Sequence, residues 1–244
     1  MMNDVCAAAS SGFNDSGFND RPGAGRFATS RGLALGALFA VLLAGAIAAQ
    51  ERGQAGGRFD YFVLSLSWAP EFCDQPGEAA RNPQECAAGR NIGFIVHGLW
   101  PEAEQGRGPE SCGPAKSVSR GIVNSMLGSM PSAGLIQHEW ASHGTCSGMT
   151  QSAYFTSVLL ARAAVQIPVQ VSSISETVRE SPKQIEGEFE GANPSFPKGA
   201  FRVACRNGAL TEVRACFDKN LKAMSCAPSA GECAATSMTI RQPR

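Results

Sequence analysis

Cysteine, at nine residues in 244, constrains this chain more than any other feature. Residues 33–49, LALGALFAVLLAGAIAA, are seventeen uncharged and mostly apolar positions, preceded by Arg26 and Arg31 and leaving through Ala46-Ile47-Ala48. This is the pattern of a secretory signal cleaved near Ala48. Cys6 lies before it, so eight cysteines remain in the exported part. An even set in an exported chain predicts four disulfides and an oxidising location, periplasmic or secreted. The other reading of the run is a retained anchor, since seventeen residues sit at the lower edge of a membrane span. Its many Ala and Gly residues favour the cleaved signal, and membrane association is expected only from an uncleaved anchor.

Residues 1–32, where SGFND occurs in tandem at 11–15 and 16–20, read as a disordered leader with no assigned function. Beyond the signal, residues 58–244 carry neither a Ser/Gly linker nor an internal repeat and are expected to form one domain. An apolar fraction of 43% is enough for a core, which excludes wholesale disorder. Twenty-one basic residues balance twenty-one acidic ones, so no global basic field draws in a polyanion. Any such ligand must be gripped locally. The charge is uneven, with five basic and nine acidic groups over 49–112 against eight and three over 198–244.

FDYFVLSLS at 59–67 and NIGFIV at 91–96 read as strands, whereas 117–130 and 151–166 have helical spacing. Ser173 with Glu176 predicts a capping box for a further short helix that Pro182 ends or interrupts. Strands and helices are interspersed without βαβ alternation, which predicts an α+β fold: a mainly antiparallel sheet packed with several helices and stapled by disulfides. Asn207-Gly208, between two β-rich runs, predicts a hairpin. That turn puts Cys205 opposite Leu210 and Cys216 six residues further on, about 20 Å away at roughly 3.3 Å per residue. A disulfide needs Cα atoms within about 7 Å, so Cys205 and Cys216 must each pair with Cys226 or Cys233, in either combination.

All three histidines fall in two short segments, His97 in FIVHGLWPE and His138 and His143 in QHEWASHGTCSG. His97 follows an apolar strand and is expected at its end beside a cleft, with Trp100 offering a flat face and Pro101 fixing the exit. If HEWASHG opens a helix, Glu139 and His143 share a face, and the carboxylate would favour the charged form of His143. Two imidazoles on separate segments suit a general base and a general acid on opposite sides of a reacting group. HEWAS begins like a zinc-protease HExxH, but position 142 is Ser and His143 comes one residue late, so that match fails. A zinc site of the three histidines is geometrically conceivable, and Cys146 is a poor nucleophile candidate because its removal would leave an odd thiol.

HGLWP followed by HEWxxHGTC resembles the paired active-site segments of the ribonuclease T2 family, and the similarity extends to LSLSWAPEFC at 64–73 and to the later cysteines, over about 59–233. The resemblance implies an α+β fold and an endoribonuclease that cleaves single-stranded RNA through a 2′,3′-cyclic phosphate, with no metal or other cofactor. It implies RNA as substrate, no action on DNA, and a monomer. By the same resemblance His143 is the base for the 2′-hydroxyl and His97 the acid for the 5′-oxygen. His138 holds the phosphate, Glu139 supports the pentacoordinate intermediate, Trp100 stacks on a base, and Glu102 matches a position that contacts a base in relatives. The family pattern pairs Cys73 with Cys86, Cys112 with Cys146, Cys205 with Cys233, and Cys216 with Cys226.

The sequence departs from the family at Ser142, where a Lys usually precedes the second motif histidine. Losing one cationic donor at a phosphate costs about 2.7 to 4 kcal/mol in the transition state, unless another Arg or Lys reaches in. The alternative is a catalytically weak or inactive homologue that binds RNA or a protein. Retention of His97, His138, Glu139 and His143 together speaks for the enzyme. If Glu139 raises the pKa of its histidine neighbour, activity should peak on the acidic side of neutral.

Overall fold

The computed structural model describes residues 56–243. The leader, the apolar run at 33–49 and Cys6 lie outside the described residues. Strand β1 (Tyr61–Trp68) runs into helix α1 (Ala69–Cys73), and two short helices, α2 (Glu78–Arg81) and α3 (Pro83–Cys86), lead to β2 (Phe94–Glu102). Helices α4 (Arg120–Met126), α5 (Ala133–Ser142), α6 (Gln151–Ala164) and α7 (Val169–Ser172) follow. Then come β3 (Val178–Glu180), α8 (Pro182–Ala192), the β4–β5 hairpin (Phe201–Arg206 and Ala209–Phe217) and β6 (Met238–Ile240).

Six strands form one sheet in the order β2-β1-β5-β6-β3, with β4 on β5; all pairings are antiparallel except the parallel step from β5 to β6. The α+β class expected from the sequence is the one found. Strand β1 is central because YFVLSLSW is covered on both faces. Phe62, Leu64, Leu66 and Trp68 enter the main core with residues of α4, α5, α6 and α8, while Tyr61 and Val63 join a smaller cluster with Cys216 and Cys226. A strand buried on both faces loses the alternation of a half-exposed one.

The β1–β2 register carries the irregularity on which the site depends. Ser65 pairs with Gly98 and Leu66 with Val96, which leaves His97 as the extra residue of a β-bulge. Bulges of this kind re-aim a side chain. The sequence placed His97 at the end of a strand finishing at 96, but β2 runs on to Glu102 because β1 offers ladder partners back to Tyr61. Pro101 is tolerated there because β2 is an outer strand.

Other boundaries moved for local reasons. The helix expected over 117–130 is confined to α4, capped by the Ser119 side chain. HEWASHG does not open a helix but closes one: α5 starts after its N-cap Ser132 and ends with His143 as C-cap. The capping box is formed by Ser181 with Gln184, not by Ser173 with Glu176, and Pro182 begins α8 instead of ending a helix. Pro at the first helical position costs no hydrogen bond. The segment between Ser173 and Ser181 is instead drawn into β3 by pairing with β6, a contact across sixty residues.

The hairpin forms as expected. Asn207 and Gly208 both have positive φ, 52° and 73°, the conformation a two-residue turn of this hand requires, and Cys205 faces Leu210. The four disulfides are Cys73–Cys86, Cys112–Cys146, Cys205–Cys233 and Cys216–Cys226, the pairing the resemblance implied. Cys112–Cys146 ties the loop after β2 to the turn that follows α5, where Thr145 Oγ1 also accepts from the Cys112 N–H at 3.2 Å. Replacing both Cys112 and Cys146 with Ala should lower unfolding free energy by about 3 to 4 kcal/mol. Urea unfolding of the mature protein measures this, and turnover should fall as well because the turn carrying His143 loses its tether.

Candidate active site

Gly98 lets the two histidine-bearing segments touch. A Cβ at Gly98 would lie 1.9 Å from Glu139 Oε2 and 2.7 Å from Trp100 Nε1, so the space a side chain would occupy is filled by the Glu139 carboxylate. The Trp100 indole N–H donates to Glu139 Oε2 at 2.8 Å. Glu139 Oε1 is buried, makes no hydrogen bond, and lies 3.4 Å from His97 Nε2 and 4.0 Å from His138 Nε2. His143, one turn after Glu139, donates its backbone N–H to the Glu139 carbonyl at 3.0 Å, and its ring lies 5.3 Å from that of Trp100, centre to centre. His97, His138, Glu139, His143 and Trp100 are thus gathered at one place. The buried face of α5 is held by Ile136 and Trp140, and a Cβ at Gly144 would strike the Trp140 ring at 2.3 Å.

The two imidazoles differ in electrostatic setting. Burial pushes the pKa of His143 down to about 4, and the nearby His97 and His138 push the same way. Burial also opposes charge on His97, but the hydrogen bond to Glu212 and the charges of Glu139 and Glu212 outweigh it and, against the opposing charge of Arg214, raise its pKa. The sequence expectation that Glu139 would favour a charged His143 is therefore corrected: the carboxylate points from α5 to His97 on β2, and a helix-face spacing alone could not show that. Glu139 itself is pushed up to about 7 by burial, against the lowering effects of His97 and the Trp100 hydrogen bond. In acid it is a neutral carboxyl, able to donate to an anionic oxygen.

His97, with Ser67 and Phe72, lines two cavities. One, of about 380 Å³, is lined by residues including Phe72, Glu85, Ser132, Leu135 and His138; the other, of about 340 Å³, by residues including Gln75, Arg206, Thr211, Glu212 and Arg214. His138 is well exposed at the rim. Glu102 is not brought to the histidines: its Oε2 accepts from the Gly108 N–H at 3.1 Å and so closes the loop after β2. Burial raises its pKa, with that hydrogen bond and the charge of Arg214 acting in opposition. Among the described residues, no group of three or more His, Cys, Asp or Glu side chains is arranged to hold a metal ion, and no helix is long and apolar enough to cross a membrane.

Three residues at the site went unread in the sequence. Glu85 is 6% exposed, its Oε1 has no hydrogen-bond partner, and burial pushes its pKa up to about 7, with His97 lowering it and Glu78 raising it. Glu212 and Arg214 lie on β5, where Glu212 Oε1 accepts from His97 Nδ1 at 3.0 Å and the Arg214 guanidinium lies 5.2 Å from the Trp100 ring centre. The one available signal was two charges at alternate positions of an otherwise apolar strand, ALTEVRACF. Position 142 supplies no cation; Arg214 reaches the group over the Trp100 ring, and Arg206 lines the same cavity as His97.

Gly98→Ala should cut turnover at least tenfold while leaving the fold intact, because the added methyl must displace the Glu139 carboxylate from His97 and Trp100. Steady-state kinetics beside a thermal melt separates the two effects, and wild-type kinetics in a folded variant would contradict this packing.

The comparisons with known proteins agree with the geometry. The model of the Ribonuclease T2 family matches residues 59–226. A ribonuclease of Aeromonas hydrophila is 32% identical over 189 residues, covering 76% of this chain and 82% of that protein. A probable ribonuclease of Haemophilus influenzae is 31% identical over 178 residues, covering 68% of this chain and 61% of that protein. Among solved structures, an RNase-related protein from Calystegia sepium superposes with a TM-score of 0.59 at 24% identity, covering 76% of this chain and 98% of that one. RNase NT in complex with 5′-AMP gives 0.58 at 22% identity, over 76% and 98%. With its two histidine segments joined through Glu139, its four disulfides and this extent of similarity, the chain belongs to the ribonuclease T2 family of endoribonucleases.

Proposed function

We propose that this enzyme cleaves single-stranded RNA by metal-independent transesterification, with His143 as general base and His97 as general acid. The observation that carries the reading is geometric: the His97 and His143 rings lie 5.2 and 5.3 Å from the Trp100 ring, centre to centre, in unlike settings, with an anion hydrogen-bonded to His97 and none to His143. Burial accordingly pushes His143 down to about 4, whereas His97 is raised. Titratable groups whose environments drive them apart are the mark of an acid–base pair.

In this scheme neutral His143 takes the proton of the 2′-hydroxyl as its oxygen bonds to phosphorus. The bond from phosphorus to the 5′-oxygen breaks, and charged His97 gives that oxygen its proton through Nε2. The products are a 2′,3′-cyclic phosphate and a 5′-hydroxyl, with His97 left neutral and His143 charged. Attack by a neighbouring hydroxyl is intramolecular, so orientation alone lowers the barrier. DNA lacks that nucleophile. Below about pH 7 Glu139 is largely a neutral carboxyl and donates to a phosphate oxygen, where an anion would repel it. His138, exposed at the rim, contacts the same phosphate in this scheme. Trp100 spends its N–H on Glu139, so its remaining contribution to RNA is a partly exposed ring. The four disulfides suit an exported enzyme, periplasmic or secreted.

Three measurements test this reading. RNA incubated with the mature protein in EDTA should yield ends bearing a 2′,3′-cyclic phosphate, whereas abolition by EDTA would favour a metal, and absence of cleavage would favour a binding homologue. His97→Ala and His143→Ala should each remove nearly all turnover, with the double variant little worse than either, because both act in one step. Near-normal kinetics in either single variant would remove it from its role.

The pH profile of kcat/KM carries the signs. His143 works only when neutral, so activity rises as pH passes upward through about 4. His97 works only when charged, so activity falls as pH passes its raised value above 6.5. A rising limb near pH 4 with a plateau through the acid range is expected, and a flat profile from pH 3 to 9 would count against the assignment.

A further inference from the structure

We propose that Glu212 is the positioning residue of His97, fixing its imidazole so that Nε2 faces the cleft, and that Arg214 locks Glu212 for this task; this deepens the ribonuclease reading and rests on it. Glu212 stands one strand beyond β1. Ser67 of β1 pairs with Ile95 of β2 on one side and with Glu212 on the other, and Ser65 pairs with Gly98 and with Arg214. Adjacent strands lie about 4.8 Å apart, so β5 is about 10 Å from β2 and can reach it only across a β1 position with a small side chain. Two serines provide that opening. The bulge at His97 turns its ring toward the same side.

The contacts leave Glu212 little freedom. Its Oε1 accepts from His97 Nδ1 at 3.0 Å, with Ser67 Oγ 3.3 Å from the same nitrogen. Its Oε2 accepts from both Arg214 Nε at 2.9 Å and Nη2 at 2.7 Å, two charge-assisted bonds converging on one oxygen. Arg214 Nη1 donates in turn to the Ala230 carbonyl at 2.7 Å, and the guanidinium lies over Trp100. With Nδ1 committed, the proton that His97 can deliver is the one on Nε2, the nitrogen 3.4 Å from Glu139.

The charged groups facing His97 have separable duties. From α5 comes Glu139, which loses its charge near pH 7; from α3 comes Glu85, which does the same. His138 and His143 flank the site from the end of α5. From β5 comes Glu212: burial acts to raise its pKa, but the His97 hydrogen bond and the Arg214 charge hold it at about 2, while Arg214 itself opposes charge on His97. Glu212 is therefore the anion that persists at His97 across the acid range, leaving Glu139 free to be neutral toward phosphate.

The test follows the ring resonances of the three histidines by NMR titration of the mature protein, alongside kcat and KM on a dinucleoside phosphate. Glu212→Gln should move both the His97 titration and the alkaline limb of kcat/KM to lower pH. It should lower kcat by about ten- to a hundredfold, a part of the roughly 10²- to 10⁴-fold that a positioned acid supplies, with little change in KM. Glu212→Asp keeps the charge and should leave the limb close to wild type while recovering part of kcat. If Glu212→Gln does not fold, Ser67→Val, which narrows the opening on β1, should give the same downward movement. A Glu212→Gln protein that loses turnover equally at all pH, with the His97 titration unmoved, would overturn the proposal and leave Glu212 a structural group. Should the wild type cleave no RNA, the ribonuclease reading fails, and the titration still decides whether Glu212 controls His97.

Discussion

The contact between the Glu139 carboxylate and the bare Cα of Gly98 is the joint on which the site depends. It brings a carboxyl from the end of α5 against an outer strand with no side chain between them, and Trp100 closes it with an indole N–H. His97 and Trp100 reach it from β2, His138 and His143 from either side of Glu139 on α5. The joint is buried, so each charge there is tuned by desolvation as much as by its neighbours. The Cys112–Cys146 disulfide and the packing of Gly144 on Trp140 hold the α5 side of it in place.

Desolvation acts on both imidazoles in the same direction, and what separates them is which one receives a persistent anion. His143 has none within hydrogen-bonding reach among the described residues, and its Nδ1 is buried without a partner. His97 has Glu212, and through it Arg214. A short chain of contacts running from Ala230 through Arg214 and Glu212 to His97 thus raises the proton affinity of one ring, whereas burial, with the neighbouring His97 and His138, lowers that of the other. Ser142, at the end of α5, brings no cation to the site. Arg206 and Arg214 line the cavity beside His97, and the Arg214 guanidinium is already paired with Glu212.

The separation between sequence and tertiary structure is clear residue by residue. The eight cysteines after the apolar run, the Asn207-Gly208 turn and the two histidine motifs were legible because each is a local signal: a parity, a dipeptide needing positive φ, a spacing. The interspersed strand and helix runs gave the α+β class, the turn barred the pairing of Cys205 with Cys216, and the motifs with the family resemblance put His97, His138, Glu139 and His143 in one site. The capping box and the start of β3 were misplaced because β3 exists only by pairing with β6, sixty residues away, a contact that leaves no trace in a local window.

By itself, then, the sequence marked out the two histidine-bearing segments that the fold brings together, since a motif is short-range and survives in one dimension. Only the tertiary structure decided which group serves which. Glu139 shares a helix with His143 yet addresses His97, because the bulge on β2 and the missing Cβ at Gly98 open that path. Glu212 addresses His97 from 115 positions away because two serines on the intervening strand leave room for it. Proton affinities depend on distance and burial in space, and neither quantity is written in chain order.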